Sequence, residues 1–263
     1  MKSKKRNILT LTISIILLIV INYSYFDNQL TAILSTSETA VVERIIDGDT
    51  IVIAENKTSV RLLGINTPER GENYYKEAKE FLGDLALNKT INLEYGKDKT
   101  DLYGRTLAYI YIGNENLNLE LIEQGFANFY FPSGKDKHYN EFKQAWENCL
   151  KKNKNLCEKS SNVCAKCIEL KKLDSKNQEV VLHNTCSFSC ELTGWKIKDE
   201  GRKNFVFEKF VLGKNRDVTI RVGKGTNSEG LLYWNRTSYV WTDTGDTLFL
   251  RDDKGKLILW ESY

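Results

Sequence analysis

The 263 residues are 28% charged and 41% hydrophobic, enough apolar material for one large or two modest cores, which excludes wholesale disorder. The formal charge is +3, and the excess lies in the first 35 residues, where Lys2, Lys4, Lys5 and Arg6 are set against Asp27. The rest is close to neutral, which excludes a polycation gripping nucleic acid by charge alone.

A basic cluster ahead of the apolar run Ile8 to Ile21 reads residues 1–35 as a secretory signal. The run is shorter than the roughly 17–25 residues a spanning helix needs, so an uncleaved membrane anchor is the alternative. In either case the expected location is extracytoplasmic, secreted or N-terminally membrane-anchored.

From Val41 the pattern becomes strand-like: Val41 to Ile46, Thr50 to Ala54 and Ser59 to Leu63, separated by Asp47-Gly48-Asp49 and Glu55-Asn56-Lys57, predict a meander. Across 72–87 the period lengthens, and Tyr75, Ala78, Leu82 and Leu85 predict an amphipathic helix after Pro68. Strands at Ile91 to Tyr95 and Thr106 to Ile112 follow, then helices at Leu117 to Gln124 and from Tyr139 to about Lys152. Five strands with interspersed helices suit a small barrel over residues 39–157. A Cys- and Lys-rich connector (158–167) leads to 168–263, where short alternating strands such as Val180 to Leu182, Val218 to Val222 and Thr247 to Leu250 predict a β-sandwich.

The six cysteines, Cys149, Cys157, Cys164, Cys167, Cys186 and Cys190, suit an exported chain and read first as disulfides. Cys164-x2-Cys167 followed by Cys186-x3-Cys190 also approaches the spacing of a four-thiolate zinc site. Cys149 lies on the apolar stripe Tyr139, Phe142, Trp146, Cys149, Leu150 and could be a buried small hydrophobe. A redox role for the Cys164-x2-Cys167 pair lacks a thioredoxin-like strand-helix context.

Chemistry is concentrated in Asp47, Asp49, Arg61, Glu69, Asp101 and Arg105, on or beside turns of the first domain. Each has an ordinary explanation. Asp47-Gly48-Asp49 is a common turn, Arg61 between Val60 and Leu62 reads as a solvated or salt-bridged strand residue, Glu69 as a helix-start acid and Arg105 as a turn cation. Together they are the parts needed to cleave a phosphodiester. Two guanidiniums clamp an anionic phosphate whose charge grows in the transition state. Oxygen ligands can hold a hard divalent ion, and a carboxylate can take a proton from the attacking water.

Ile46-Asp47-Gly48-Asp49-Thr50, Val60-Arg61-Leu62-Leu63-Gly64-Ile65-Asn66-Thr67-Pro68-Glu69 and Asp101-Leu102-Tyr103-Gly104-Arg105-Thr106-Leu107-Ala108-Tyr109 resemble the staphylococcal nuclease (thermonuclease) family over roughly residues 39–157. The resemblance implies an OB-fold barrel with helices, Glu69 as general base, and Arg61 and Arg105 as the phosphate-binding, transition-state-stabilising catalytic pair. It implies one calcium ion held by Asp49, Asn66 and the carbonyl of Thr67, with Asp47 in the outer shell. Tyr103 matches a residue that touches the nucleotide phosphate, and the implied products carry 3′-phosphates. This chain has Asn66 where the family usually has aspartate, which removes one negative charge from the metal shell. It also has Leu102 where a lysine is often found. Asn66→Asp is therefore expected to lower the calcium requirement about tenfold. Arg61 and Glu69 are both expected at an open cleft, where substitution should leave stability nearly unchanged.

Leu192-Thr193-Gly194-Trp195-Lys196-Ile197-Lys198-Asp199, Leu231-Leu232-Tyr233-Trp234 and Val240-Trp241-Thr242-Asp243-Thr244-Gly245-Asp246-Thr247 resemble the lamin-tail domain, which implies an immunoglobulin-like sandwich with a ligand left unassigned. The sequence thus predicts an exported, metal-dependent nuclease acting on DNA and RNA. The alternative is an OB-fold nucleic-acid-binding module without hydrolysis, which would not require Arg61, Glu69 and Arg105 together.

Overall fold

In β1 (Glu38–Asp47), Ala40, Val42 and Ile45 are buried between exposed neighbours, as in a strand with one face on a core. The computed structural model describes Asn22, residues 38–132 and residues 134–263; apart from Asn22, the predicted signal or anchor lies outside the described residues. Among the described residues, no helix is long and apolar enough to cross a membrane. β1 turns at Gly48 into β2 (Thr50–Ile53), and β3 (Ser59–Leu62) completes the predicted meander.

β4 (Gly64–Asn66) and α1 (Tyr75–Ala86) precede β5 (Thr90–Thr100) and β6 (Thr106–Ile112). β5 pairs with β1 and β6, and β6 runs parallel to β3, closing a five-stranded barrel. α1 buries Ala78, Leu82 and Ala86, whose spacing of four keeps them on one face. β7 (Glu115–Asn116) lengthens the barrel sheet, and the Asn116 side chain caps α2 (Leu117–Glu123) by accepting from the Leu119 N–H at 3.2 Å. β8 (Asn128–Tyr130) pairs with β4, and α3 (Tyr139–Lys152) buries Phe142, Ala145, Trp146 and Cys149.

Two 3₁₀ turns, Asn155–Cys157 and Val163–Lys166, lead into the second unit. Its strands are β9 (Ile168–Asp174), β10 (Glu179–Asn184), β11 (Cys190–Glu191), β12 (Lys196–Lys198), β13 (Asn204–Val206), β14 (Val211–Leu212), β15 (Asp217–Val222), β16 (Leu231–Trp234), β17 (Thr247–Arg251) and β18 (Leu257–Ser262). They form the sheets β16-β15-β10-β9 and β13-β12-β17-β18, with β11 paired to β14. This is the predicted immunoglobulin-like β architecture.

β17 belongs to both cores. Its alternation places Leu248 and Leu250 in the sandwich core and Phe249 in the barrel's core, together with Leu257. Phe249 packs edge-on against Trp146 at 5.4 Å between ring centroids, and Trp260 lies 6.1 Å from Phe129 and 6.3 Å from Trp146. Burying aromatic rings of this size contributes roughly 1.5–3 kcal/mol each, so the outer face of this sheet adheres to the barrel.

The cysteines stand at disulfide distance as Cys149–Cys157, Cys164–Cys190 and Cys167–Cys186, with Cα separations of 5.8, 5.8 and 5.2 Å. No cysteine is free among the described residues. Cys149 is buried on the α3 stripe and is also paired, so apolar packing alone does not account for it. The zinc-like spacing reflects real proximity: the sulfurs of Cys164, Cys186 and Cys190 lie within 4.8 Å of one another.

Candidate active site

The turn between β1 and β2 is set by a close approach. A Cβ on Gly48 would lie 2.8 Å from the Ala78 Cβ and 2.9 Å from Thr67 Oγ1, so a side chain there would push the turn off α1. Asp49 is consequently buried, and its carboxylate organises the site. Oδ2 accepts from Thr67 N at 2.9 Å and Thr67 Oγ1 at 3.0 Å, while Oδ1 accepts from Thr50 Oγ1 at 3.1 Å. Arg61 Nε lies 3.1 Å from the same Oδ1.

Arg61 is not the solvated residue its strand position suggests; it is 7% exposed. Its other nitrogens are held within the protein, Nη1 donating to the Leu62 carbonyl and Nη2 to Asn66 Oδ1 at 3.4 Å. The expectation that Arg61 lies at an open cleft is thus corrected: its guanidinium is turned inward onto Asp49, the Leu62 carbonyl and Asn66.

Glu69 is half-exposed, and its N–H is fixed by Glu72 Oε2 at 2.8 Å. Arg105 lies immediately ahead of β6, one position before the residue paired with Val60. Its turn is closed by Asp101, whose Oδ1 accepts from the Tyr103 and Arg105 N–H groups, both at 2.9 Å, and whose Oδ2 meets Arg105 Nε at 2.7 Å. The guanidinium stands over the exposed Tyr103 ring, 5.6 Å from its centroid. Asp101 is therefore a positioning residue for Arg105.

The donor set Asp49, Asn66 Oδ1 and the Thr67 carbonyl is entirely oxygen and suits a hard divalent ion. Asp47 Oδ1 accepts from the Asp49 N–H at 3.1 Å. Burial, and then the neighbouring Asp49 charge, push the Asp47 carboxyl above its ordinary range. The Arg61 guanidinium already faces Asp49 and Asn66 Oδ1, and a divalent ion held by these oxygens would share them with it.

The second unit reaches this cleft, which sequence reasoning missed. The turn Asp199 to Lys203 closes on itself, Asp199 N donating to the Lys203 carbonyl at 3.0 Å and Lys203 N to Asp199 Oδ1 at 2.8 Å. Asn66 Nδ2 donates to the Gly201 carbonyl at 2.8 Å and the Glu200 carbonyl at 3.3 Å, and Asn128 Nδ2 to the Glu200 carbonyl at 3.1 Å. Lys198 Nζ holds Glu72 at 2.9 Å, and Arg202 Nε lies 2.6 Å from Glu69 Oε1. Asn66 therefore has a reason to be an amide, since an aspartate would face two carbonyl oxygens without a donor.

Residues 59–159 match the family model described as staphylococcal nuclease homologue. A thermonuclease of Staphylococcus intermedius is 37% identical over 130 residues, covering 46% of this chain and 77% of that protein. The chain belongs to the staphylococcal nuclease family. Residues 160–263 match the model described as Lamin Tail Domain. A thermonuclease of Staphylococcus hyicus is 35% identical over 46% of this chain and 77% of its own length. An uncharacterized endonuclease of Haemophilus influenzae is 37% identical over 47% of this chain and 68% of its own. These relatives support a nuclease at family level, and the family is generally divalent-metal dependent. The matched segment of this staphylococcal nuclease homologue contains Arg61, Asn66, Thr67, Glu69, Tyr103 and Arg105, whereas Asp47 and Asp49 precede it and join the site through the β1–β2 turn.

Proposed function

We propose that this protein is an exported nuclease that hydrolyses phosphodiester bonds of DNA and RNA with one divalent ion, calcium being favoured by the oxygen-only donor set. The observation that carries the reading is the buried Arg61–Asp49–Asn66 cluster, with the half-exposed Glu69 three positions beyond Asn66. A calcium ion at Asp49, Asn66 and the Thr67 carbonyl would supply charge neutralisation to the phosphate.

The protein's own groups perform the rest. Glu69 takes the proton of the attacking water, its backbone fixed by Glu72 so that the carboxylate is presented at the cleft. Arg61 and Arg105 turn toward the equatorial oxygens the Nη N–H groups that their protein partners leave over, each guanidinium being aimed by a carboxylate, Asp49 and Asp101 respectively. Tyr103, exposed beside Arg105, contacts a neighbouring phosphate. A module that only bound nucleic acid would need the cations but not the carboxylate at position 69.

The test is incubation of the purified protein with single-stranded DNA, duplex DNA and RNA, with calcium or with chelator. Cleavage requiring the ion and leaving 3′-phosphates is expected. Full activity in excess chelator overturns the metal assignment, and binding without cleavage overturns the enzyme.

A further inference from the structure

Arg202 and Glu69 are 133 positions apart in the chain, yet Nε and Oε1 are 2.6 Å apart. We propose that Arg202 is a phosphate-binding residue of the nuclease cleft, contributed by the lamin-tail domain, and that it moves from Glu69 to the substrate's phosphate when nucleic acid binds. This rests on the nuclease reading of the preceding subsection and names a residue that neither the family motifs nor that reading includes.

The backbone around Arg202 is fixed. Its turn is closed by Asp199 and Lys203, tied to Asn66 and Asn128 through the Glu200 and Gly201 carbonyls, and flanked by Lys198 on Glu72. The guanidinium, by contrast, is available. Its side chain is 58% exposed and that of Glu69 is 45% exposed, and an ion pair this open to water is weak. A phosphodiester, which offers an anion with several acceptor oxygens, can therefore displace it.

The two arginines of the nuclease motifs are both anchored by protein partners. Arg61 has all three nitrogens engaged within the protein, and Arg105 is held through Nε by Asp101. The residue preceding Tyr103, fully exposed Leu102, carries no charge. Arg202 touches the carboxylate assigned as the base, so the phosphate that places its phosphorus next to Glu69 comes within reach of this guanidinium. Moving the guanidinium to the phosphate uncovers Glu69 as the substrate arrives.

The experiment compares the purified protein with Arg202→Ala and Arg202→Lys. Initial rates on a single-stranded oligonucleotide give kcat and KM. Fluorescence anisotropy of the same oligonucleotide in chelator, across a salt series, gives Kd and its salt slope. Arg202→Ala is expected to raise KM and Kd about tenfold with kcat within about twofold, and to reduce the salt slope by about one. Arg202→Lys should recover most of that loss. Unchanged KM and slope overturn the proposal, and so does a rise in kcat, which would make the contact a brake on Glu69. If the wild-type protein binds with an Arg202-dependent slope but cleaves nothing with calcium, the nuclease reading falls and the phosphate-binding assignment stands.

Discussion

Asn66 Nδ2 donates a 2.8 Å hydrogen bond to the carbonyl of Gly201, joining the position proposed as a metal ligand to the turn that the second domain lays over the cleft. Asn66→Asp removes this donor and turns a carboxylate toward the Glu200 and Gly201 carbonyls. The variant is expected to lose about 1–3 kcal/mol of stability while its half-maximal calcium concentration falls about tenfold from the added charge. Thermal melts and calcium titrations of both forms check this. A variant as stable as wild type would show that docking does not depend on the amide.

Arg61 and Glu69 should separate in their effects on folding. Glu69→Gln is expected to reduce turnover by at least about a hundredfold with the melting temperature unchanged, because its carboxylate is half in solvent and its partner Arg202 more so. Arg61→Ala is expected to lose activity and also about 3–5 kcal/mol of stability, because it leaves Asp49 buried without its counter-charge. Denaturant unfolding of both variants measures the difference, and equal stabilities would contradict the burial of the Arg61–Asp49 pair.

The turn over the cleft should make stability fall with rising pH. Burial first, and then Asp246, push Glu200 up to about 8 and Asp199 up to about 6, whereas both would titrate near 4 in the unfolded chain. The stability each contributes is complete below about pH 4 and is lost as pH rises through about 6 for Asp199 and about 8 for Glu200. Glu200→Gln should flatten this decline, narrowing the difference in melting temperature between pH 5 and pH 9. An unaltered profile would place the pH dependence elsewhere.

Thiol titration of the oxidised protein under denaturing conditions should find no free thiol, and metal analysis no zinc, in keeping with the three cysteine pairs. One equivalent of zinc with four titratable thiols would convert the Cys164, Cys167, Cys186 and Cys190 cluster into a four-thiolate site.

The barrel was legible because its information is local: alternation in β1 to β3, the apolar spacing of α1, and motifs in which Asp49, Arg61, Asn66 and Glu69 fall within 21 residues. The short sandwich strands were legible for the same reason. The burial of Arg61 was not, since a strand residue's exposure depends on what packs over its face, and here the Asp49 and Asn66 side chains close on the guanidinium. Lys198, Arg202 and Asn128 were missed because each looks like an ordinary polar residue in a strand or turn, and Gly201 because it acts through its backbone carbonyl. The packing of Phe249 and Trp260 on Trp146 helps to seat Lys198, Gly201 and Arg202 at the cleft, where Asn128 of the barrel meets their turn. The apolar strand β17 offered one missed signal: Leu248, Phe249 and Leu250 in succession leave no polar face for solvent.

Because Phe249 and Trp260 complete the packing around Trp146, inheritance constrains the two halves jointly. A bead-on-a-string module can be exchanged for an unrelated one without consequence to its neighbour, whereas a replacement here would have to reproduce the same aromatic relief or leave the barrel with an open wound of indole and phenyl surface. Substitutions at residues 146, 249 and 260 should accordingly drift in concert across descendants of this arrangement, even though an intervening linker makes the halves look independent on paper.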